Sequence, residues 1–487
     1  MMLTIAAVLS TGIIKETTLF LPYEAAALLL LGFSVLWVLL GWWLGRKTTT
    51  IDDHMLAGRN VGLALGTATA MATWVTANTT MVAPQFAYEF GIMGVFGYSL
   101  GAVGLILFAP MAERIRAMLP DGCTAGDFMR MRFGHTAWRI FLVFSLVYAM
   151  GWLVSLGMAG GILIQALSGI EYRIGMTVIL GVCTMYTMLG GLRAVIATDF
   201  IQSLIILGGI AFLGYRISTG DMVERAHAAL LTERPQLLNL LLPAALMFLF
   251  NNLIFGIGEI FHSNVWWSRA FAFRKGVGAK AYLLSGLFWI PVPVVAGYLA
   301  FVAPAMAVNV PRADMVGPLA AAHLAGEVGA ILIFVIIFAA LASSMDSLLA
   351  ATTDLLVEDV YRRHLKPQAT PEERLKASRF MLLGLAFVVW LLCLPDLERM
   401  GQILNFAGPF VASMIWPILG GLYWERTNAT GVSLSMVAGS VAGLAGYFIV
   451  GFYVSALLGA AVSLLVLVAA SMAFPGRFEL SRGKYDS

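Results

Sequence analysis

Apolar stretches of about twenty residues follow one another along most of this 487-residue chain. A stretch of this length crosses the hydrocarbon core of a bilayer as an α-helix. Because 60% of the residues are apolar and only 12% are charged, little of the chain remains for a domain outside the membrane. The sequence therefore predicts an all-α polytopic membrane protein surrounded by the lipid bilayer.

The apolar stretches predict about thirteen spans, arranged as one leading helix, a core of ten and two trailing helices. The predicted spans are 22–44; then 57–88, 91–116, 137–166, 171–189, 195–216, 236–265, 278–304, 318–359, 372–395 and 400–423; and finally 429–451 and 454–474. The predicted organisation is an external segment with the leading helix (1–56), a five-helix repeat (57–216), an extracellular loop (217–235), a second five-helix repeat (236–424), the trailing helices (425–474) and a cytoplasmic tail (475–487).

Basic residues are concentrated in alternate loops between these spans. They are Arg46, Lys47, Arg59, Arg114, Arg116, Arg130, Arg132, Arg139, Arg193, Arg269, Arg274, Lys275, Lys280, Arg362, Arg363, Lys366, Arg374, Lys376 and Arg426, with Arg477, Arg482 and Lys484 in the tail. Loops that are rich in Lys and Arg stay in the cytoplasm. We therefore expect a multi-pass protein of the plasma or inner membrane, with its N-terminus outside and its C-terminus in the cytoplasm.

Composition and residue spacing also limit the function classes. The net charge of +3 does not indicate nucleic-acid binding, because Lys and Arg are needed as topological anchors. The three cysteines are scattered and the six histidines are dispersed, so neither a metal centre nor an enzyme is predicted. No cofactor and no obligatory protein partner are indicated.

Polar side chains interrupt a very apolar part of the chain between residues 338 and 361. Ser343, Asp346 and Ser347 are spaced so that they share one helical face. Oxygen ligands grouped in this way suit a hard cation. The alternative is that these small residues only allow close helix packing, with each serine bonding to its own helix.

A further aspartate, Asp199, lies about one turn inside the cytoplasmic end of the fifth core helix, close to Gln202. Two interpretations remain open. In the first, Asp199 pairs with Arg193 at the membrane boundary. In the second, Asp199 is another cation ligand and faces the eighth core helix at the depth of Asp346.

Two core helices carry signs of interruption. The first has no Leu or Ile in residues 67–89 and contains Pro84, while its Thr, Ala and Asn residues favour alternative backbone bonds. The sixth has Asn251–Asn252 near its middle, followed by Gly256 and Gly258. Paired broken helices in two five-helix halves indicate the midplane binding site of a secondary transporter. A glycine-rich packing seam is the alternative.

Several stretches of the chain resemble the sodium:solute symporter family. They are LAGRN (56–60), YTMLGGLRAVIATDFIQ (186–202), ALASSMDS (340–347) and VEDVYRR (357–363). The resemblance implies a LeuT-type inverted repeat of five plus five helices, in which core helices 1 and 6 are broken. Three further stretches are similar to the urea active transporter branch: NVWWSRAFAF (264–273), AYLLSGLFWIPVPVV (281–295) and ATWVTANTTMVAPQFAYEFGIMGVFGY (72–98).

The same resemblance implies a main sodium site between core helices 1 and 8. Its ligands by position are the carbonyls of Ala72, Val75 and Ala340 and the hydroxyls of Ser343 and Ser344. Some members of the family bind a second sodium ion at the position of Asp199 together with a Ser/Thr pair. That pair is Asp346–Ser347 here, so the resemblance implies a second cation site or a proton site.

The predicted function is sodium-coupled import of a small polar solute by alternating access, with urea favoured and sodium as the coupling ion. Proton coupling and another solute (an amino acid, a monocarboxylate or a sugar) remain alternatives, as does a transporter-like sensor. The candidate solute contacts are polar or aromatic: Trp74, Thr76, Asn78, Asn251, Asn252, Glu259, Gln402 and Asn405. No basic residue is expected in the central segments, which disfavours an anionic solute.

Overall fold

The structure is a computed structural model that describes residues 20–46, 50–396 and 400–474. Within these ranges the regular structure is helical, apart from one isolated β-bridge between Val61 and Phe273. The predicted all-α fold is therefore confirmed. Most of the predicted N-terminal segment and the whole predicted tail, with Arg477, Arg482 and Lys484, lie outside the described residues.

Nine helices form the first half of the described chain. They are α1 (Tyr23–Gly45), α2 (Ile51–Leu56), α3 (Leu63–Trp74), α4 (Ala77–Phe90), α5 (Ile92–Ser99), α6 (Ala102–Met118), α7 (Ala125–Ser168), α8 (Tyr172–Ser218) and α9 (Met222–Glu233). The predicted extracellular loop 217–235 thus contains a helix, α9, which the apolar pattern did not predict.

Eleven helices form the second half of the described chain. They are α10 (Pro243–His262), α11 (Asn264–Ala272), α12 (Gly278–Trp289), α13 (Pro291–Ala305), α14 (Val316–Leu355), α15 (Pro371–Cys393), α16 (Met400–Phe406), α17 (Gly408–Ser413), α18 (Ile415–Tyr423), α19 (Ala429–Ile449) and α20 (Ser455–Ala473). A π-helical segment, Leu356–Leu365, extends α14.

Eleven helical stretches within the described residues are long and apolar enough to cross a membrane. The predicted count of about thirteen spans is therefore not confirmed. Two predicted spans, 171–189 and 195–216, lie in one 47-residue helical run, α8, and the non-helical residue Gly191 lies between them. The predicted span 57–88 is divided into α3 and α4, of 12 and 14 residues, and neither half is long enough to cross alone.

Helix α8 changes direction at Gly191, where φ is +58° and ψ is −170°. This backbone conformation is open essentially to glycine alone. A Cβ at this position would lie 2.4 Å from Nδ1 of His54 in α2, so the glycine also lets α2 pack against the bend. Helices α7 and α14 bend in the same way at Gly134 and Gly326.

Helices α3 and α4 are the two halves of one broken helix. Val75 leaves the helical conformation, with φ −78° and ψ 84°, and α4 begins after Thr76. The backbone N–H of Thr79 donates to Thr76 Oγ1 over 3.0 Å, and the backbone N–H of Thr76 donates to Thr79 Oγ1 over 3.1 Å. This reciprocal capping stabilises the start of α4 inside the protein. The predicted break in core helix 1 is confirmed.

Helices α10 and α11 form the second broken helix, and Ser263 separates them with φ −68° and ψ 128°. The predicted break in core helix 6 is confirmed, and it lies at Ser263, after Asn251–Asn252, through which α10 is continuous. Gly258 serves close packing instead, since a Cβ there would lie 2.6 Å from the carbonyl oxygen of Val411 in α17. The glycines of α10 therefore allow close helix packing, as the alternative of a glycine-rich packing seam predicts.

Helix α14 lies at the centre of the helical assembly. Helix α14 belongs to the helical run Ala313–Leu365, and 78% of the residues in the most apolar 18-residue stretch of this run are buried. The corresponding share is 28% in α1 and in α15. Helix α14 packs against α4, α7 and α8, whereas α19 and α20 pack against each other and against α17. The broken helix α3–α4 also contacts α14, which brings freed backbone groups close to the polar residues of α14.

We expect Gly191→Ala to destabilise the protein by about 1–3 kcal/mol, the usual cost of a strained backbone conformation, with a further cost from contact with His54. The measurement is the midpoint of thermal unfolding of the detergent-purified protein. Gly181→Ala is the matched control, because Gly181 lies in the same helix and a Cβ there would meet nothing within 4 Å. Equal midpoints for the two variants would contradict this role of Gly191.

Candidate functional site

Carbonyl groups at the break between α3 and α4 converge on one hydroxyl of α14. Ser344 Oγ lies 3.0 Å from the carbonyl oxygen of Thr73, 3.5 Å from that of Val75 and 2.9 Å from that of Ala340. A hydroxyl has only one hydrogen to donate, so it cannot satisfy all three carbonyls at once. Neutral oxygen atoms grouped around one buried point are the ligands that a hard cation takes.

The structure brings together part of the ligand set that the resemblance implies. Three of its five residues meet in this group: Val75, Ala340 and Ser344. The third carbonyl belongs to Thr73 rather than to Ala72, and Ser343 Oγ donates to the carboxylate of Asp199 instead. The donor set fits sodium, which needs several oxygen ligands and no thiolate or imidazole. Sodium binding at this point stays a prediction.

A buried ion pair lies beside this group. Arg269 of α11 and Asp199 of α8 are both fully buried, and 3.3 Å separates Nη2 from Oδ2. The interpretation that Asp199 pairs with Arg193 is wrong, because Arg193 lies 3.4 Å from Asp53. The assignment of Arg269 to a basic loop is also wrong, as is the expectation that the central segments contain no basic residue, since α11 carries this side chain into the core.

Asp346 is connected to the ion pair through Ser347. Arg269 Nη2 donates to Ser347 Oγ over 2.7 Å, and Ser347 Oγ donates to Asp346 Oδ1 over 3.1 Å. Tyr186 Oη donates to Asp346 Oδ2 over 2.8 Å. The residues predicted for a second cation or proton site, Asp199, Asp346 and Ser347, therefore share one polar network. A guanidinium, which the sequence did not lead us to expect, lies among them.

Aromatic side chains enclose a small cavity between the two broken helices and their neighbours. The Trp74 ring stacks on Trp152 with 5.9 Å between centroids and lies 5.8 Å from the ring of Trp289. The cavity leaves about 20 Å³ for the centre of a water-sized sphere, which is room for one or two water molecules. Its lining consists of Trp74, Thr76, Thr79, Tyr98, Gly101, Trp152, Asn252, Phe255, Gly256, Trp289 and Leu404.

A second cavity lies beside the aromatic cavity, and Ser344 is one of its lining residues. The two cavities share three residues: Trp74, Thr76 and Trp152. The second cavity also contacts the buried Glu259, whose Oε1 accepts a hydrogen bond from Tyr148 Oη over 2.5 Å. Both oxygens of Glu259 lie 3.1 Å from Nε1 of Trp266. Among the described residues that line the two cavities, there is no Lys or Arg.

The predicted solute contacts fall into two groups. Four of them line the cavities: Trp74, Thr76, Asn252 and Glu259. The other four lie outside both linings: Asn78, Asn251, Gln402 and Asn405. Trp74 and Asn78 do not share one helical face, because the break at Val75 lies between them.

The residues outside the cavities have partners or positions of their own. Asn251 Nδ2 lies 3.4 Å from Asn405 Oδ1, and Asn251 Oδ1 accepts a hydrogen bond from the backbone N–H of Ala456 in α20 over 2.8 Å. Asn78 Oδ1 accepts a hydrogen bond from a serine hydroxyl of α7. Gln402 is half-buried. These contacts tie core helices to one another and to a trailing helix.

Sequence reasoning missed several residues of the site, among them Tyr148, Trp152, Trp266, Arg269 and Trp289. Aromatic residues are common in apolar spans, so their type alone does not mark a cavity. The run WWSRAF (266–271) does carry a signal, because an arginine between aromatic residues is unusual for a solvated loop. That signal would have placed Arg269 inside the protein.

Comparison with known proteins supports a transporter fold. The chain matches the family model described as the sodium:solute symporter family over residues 54–439. The substrate-bound outward-open structure of a Na⁺-coupled sialic acid symporter has a TM-score of 0.74 to this chain at 18% identity. That match covers 93% of this chain and 99% of the symporter. This likeness concerns the fold and confirms the predicted fold class.

Curated relatives include transporters for different solutes. The chain is 29% identical over 430 residues to the urea-proton symporter DUR3 of Oryza sativa subsp. japonica. The matched region covers 80% of this chain and 59% of the rice protein. It therefore spans less than two thirds of the rice protein. The chain is also 26% identical over 423 residues to the osmoregulated proline transporter OpuE of Bacillus subtilis. This matched region covers 84% of this chain and 86% of OpuE.

We expect Ser344→Ala to raise the sodium concentration that half-saturates the purified protein by tenfold or more, because a loss of about 1.4 kcal/mol has that effect. The measurement is the rise of the thermal midpoint with sodium, compared with potassium. Ser433→Ala is the matched control, since Ser433 Oγ likewise bonds to its own helix, 2.8 Å from the carbonyl oxygen of Ala429. An unchanged sodium response of Ser344→Ala would contradict the predicted site.

Proposed function

Because the chain belongs to the sodium:solute symporter family, we propose that it imports a small, uncharged polar solute together with sodium by alternating access, and that this solute is urea. One observation carries the proposal: the small aromatic cavity shares Trp74, Thr76 and Trp152 with a second cavity, which Glu259 and Ser344 also line. A solute and a cation bound there would be neighbours. The curated relatives are named as transporters, so no enzymatic activity is proposed.

The polar atoms around the cavities suit a solute that both donates and accepts hydrogen bonds. Trp74 Nε1 is buried without a hydrogen-bond partner among the described residues, so it is free to donate to a solute carbonyl. Glu259 offers carboxyl oxygens to solute N–H groups, and within the described part of the chain its side-chain donors are Tyr148 and Trp266. Urea has one carbonyl and two amino groups, which match these roles.

The size and charge of the site favour urea over larger or anionic solutes. A cavity with room for one or two water molecules admits a solute of a few non-hydrogen atoms. Recognition of a carboxylate normally uses Arg or Lys, and the described lining residues include neither. The name of the rice relative, a urea-proton symporter, supports the same solute.

Sodium and solute would be coupled because both sites use the same broken helix. Thr73 and Val75 supply carbonyls to the group at Ser344, while Trp74, between them, is a wall of the solute cavity. An ion that fixes this segment also fixes the cavity wall. Thermodynamic linkage makes the coupling reciprocal. One cation moving down a membrane potential of 100 mV contributes about 2.3 kcal/mol to uptake.

We also propose the orientation and organisation that the sequence predicts. The loops rich in Arg and Lys would face the cytoplasm, which puts the N-terminus outside. The two five-helix repeats would be residues 57–216 and 236–424, each beginning with one of the two broken helices. This arrangement is the one in which a midplane site is exposed alternately to either side.

Uptake of radiolabelled urea into proteoliposomes tests the proposal. An inward sodium gradient should drive uptake, and unlabelled urea should compete at millimolar concentration. If a proton gradient drives uptake and a sodium gradient does not, sodium coupling is wrong. If urea neither enters nor competes while proline does, symport is supported and urea is the wrong solute.

We expect Glu259→Gln to lower the affinity for urea by about tenfold, because a buried hydrogen-bonding group left without its partner costs about 1–3 kcal/mol. Glutamine keeps the shape of the side chain but replaces one carboxyl oxygen with an NH₂ group, which cannot accept a hydrogen bond from the solute. The measurement is the urea concentration for half-maximal uptake, together with the sodium response, which should change little. Glu113→Gln is the control, since Glu113 accepts from the backbone N–H of Ala279, away from the cavities. Equal urea affinities in both variants would contradict this role of Glu259.

A further inference from the structure

The side chain of Arg269 is surrounded on every side by oxygen atoms of the protein. Its Nε donates to Thr69 Oγ1 over 3.0 Å, and its Nη1 donates to the carbonyl oxygen of Val265 over 3.1 Å. Its Nη2 donates to Thr73 Oγ1 over 2.7 Å and to Ser347 Oγ over 2.7 Å. The residue is fully buried. A guanidinium stays charged in any protein environment, so this positive charge is permanent.

The guanidinium lies among oxygen atoms of the residues that were predicted to form a second cation site. Asp199 Oδ2 and Ser347 Oγ both contact Nη2, at 3.3 and 2.7 Å. We propose that Arg269 is a built-in cation that fills this second site, so that the transporter binds one sodium ion, at Ser344, and not two. A second sodium ion would have to share Asp199 with a fixed charge of the same sign.

Arg269 also connects several helices to one another, as an ion bound at the second site would otherwise do. Arg269 belongs to α11, the second half of a broken helix, while its partners lie on three other helices. These are Thr69 and Thr73 on α3, Asp199 on α8 and Ser347 on α14. The guanidinium therefore connects one half of each broken helix to α8 and α14 whether or not sodium is present. Only the site at Ser344 is left to respond to the ion.

Counting bound sodium ions tests this inference without any solute, using radioactive sodium and the purified protein in nanodiscs. The wild-type protein should bind one ion with a Hill coefficient near one. Arg269→Ala frees Asp199 and Ser347 from the guanidinium and should bind about two ions. Arg269→Lys keeps a tethered cation and should return the count to one. Arg132→Ala, another buried arginine, is the matched control and should leave the count at one.

The outcomes separate this inference from the proposed function on which it rests. Two ions on the wild-type protein would overturn the role of Arg269 but not sodium symport, and no bound ion would overturn both. A folded Arg269→Ala variant that still binds one ion would show that Arg269 is only a structural partner of Asp199.

Loss of one partner of a buried pair often impairs folding. Arg269→Ala with Asp199→Asn removes both charges, and this variant should keep one ion; if it binds two, the second ion does not need the site that Arg269 fills.

Discussion

The contact between a broken helix and one serine of the central helix joins the main parts of this protein. Val75 interrupts the helix formed by α3 and α4, and the carbonyls of Thr73 and Val75 turn toward Ser344 of α14. An unpaired buried carbonyl is costly, so the break persists only where hydroxyls or an ion satisfy it. Since Trp74 lies within the same break and lines the aromatic cavity, the ion contact and the solute wall are parts of one segment.

A second polar contact, between Arg269 and Asp199, ties the other broken helix to the same centre. Isolated charges at this depth would be very costly, and their pairing with hydroxyls from α3 and α14 offsets much of that cost. The two contacts differ in one respect. The group at Ser344 has more acceptors than its hydroxyl can satisfy, whereas the guanidinium meets an acceptor through each of its three nitrogens. The first is therefore suited to a mobile ion and the second to a permanent connection.

The sequence predicted the helical architecture well, because apolar length and the threonine-rich interruption of core helix 1 are local signals. The family resemblance also pointed to Ser344 as a ligand of a main sodium site, and to Asp199 and Ser347 as part of a second cation or proton site. The sequence did not locate the break of core helix 6 at Ser263, since Gly258, one of its signs, marks close packing with Val411. It put Arg269 in a loop, because its partner Asp199 comes from a distant part of the chain. Contacts across helices, unlike spans, have no local pattern.

Hydrogen–deuterium exchange tests most directly whether sodium joins the broken helix to the central helix. The protein in nanodiscs is compared in sodium and in potassium, without solute, over peptides that contain Thr73–Thr79 and Ala340–Ser347. The account predicts slower exchange in both segments in sodium, with little change in the trailing helix α19. Equal exchange in the two ions, in a protein whose uptake depends on sodium, would contradict it.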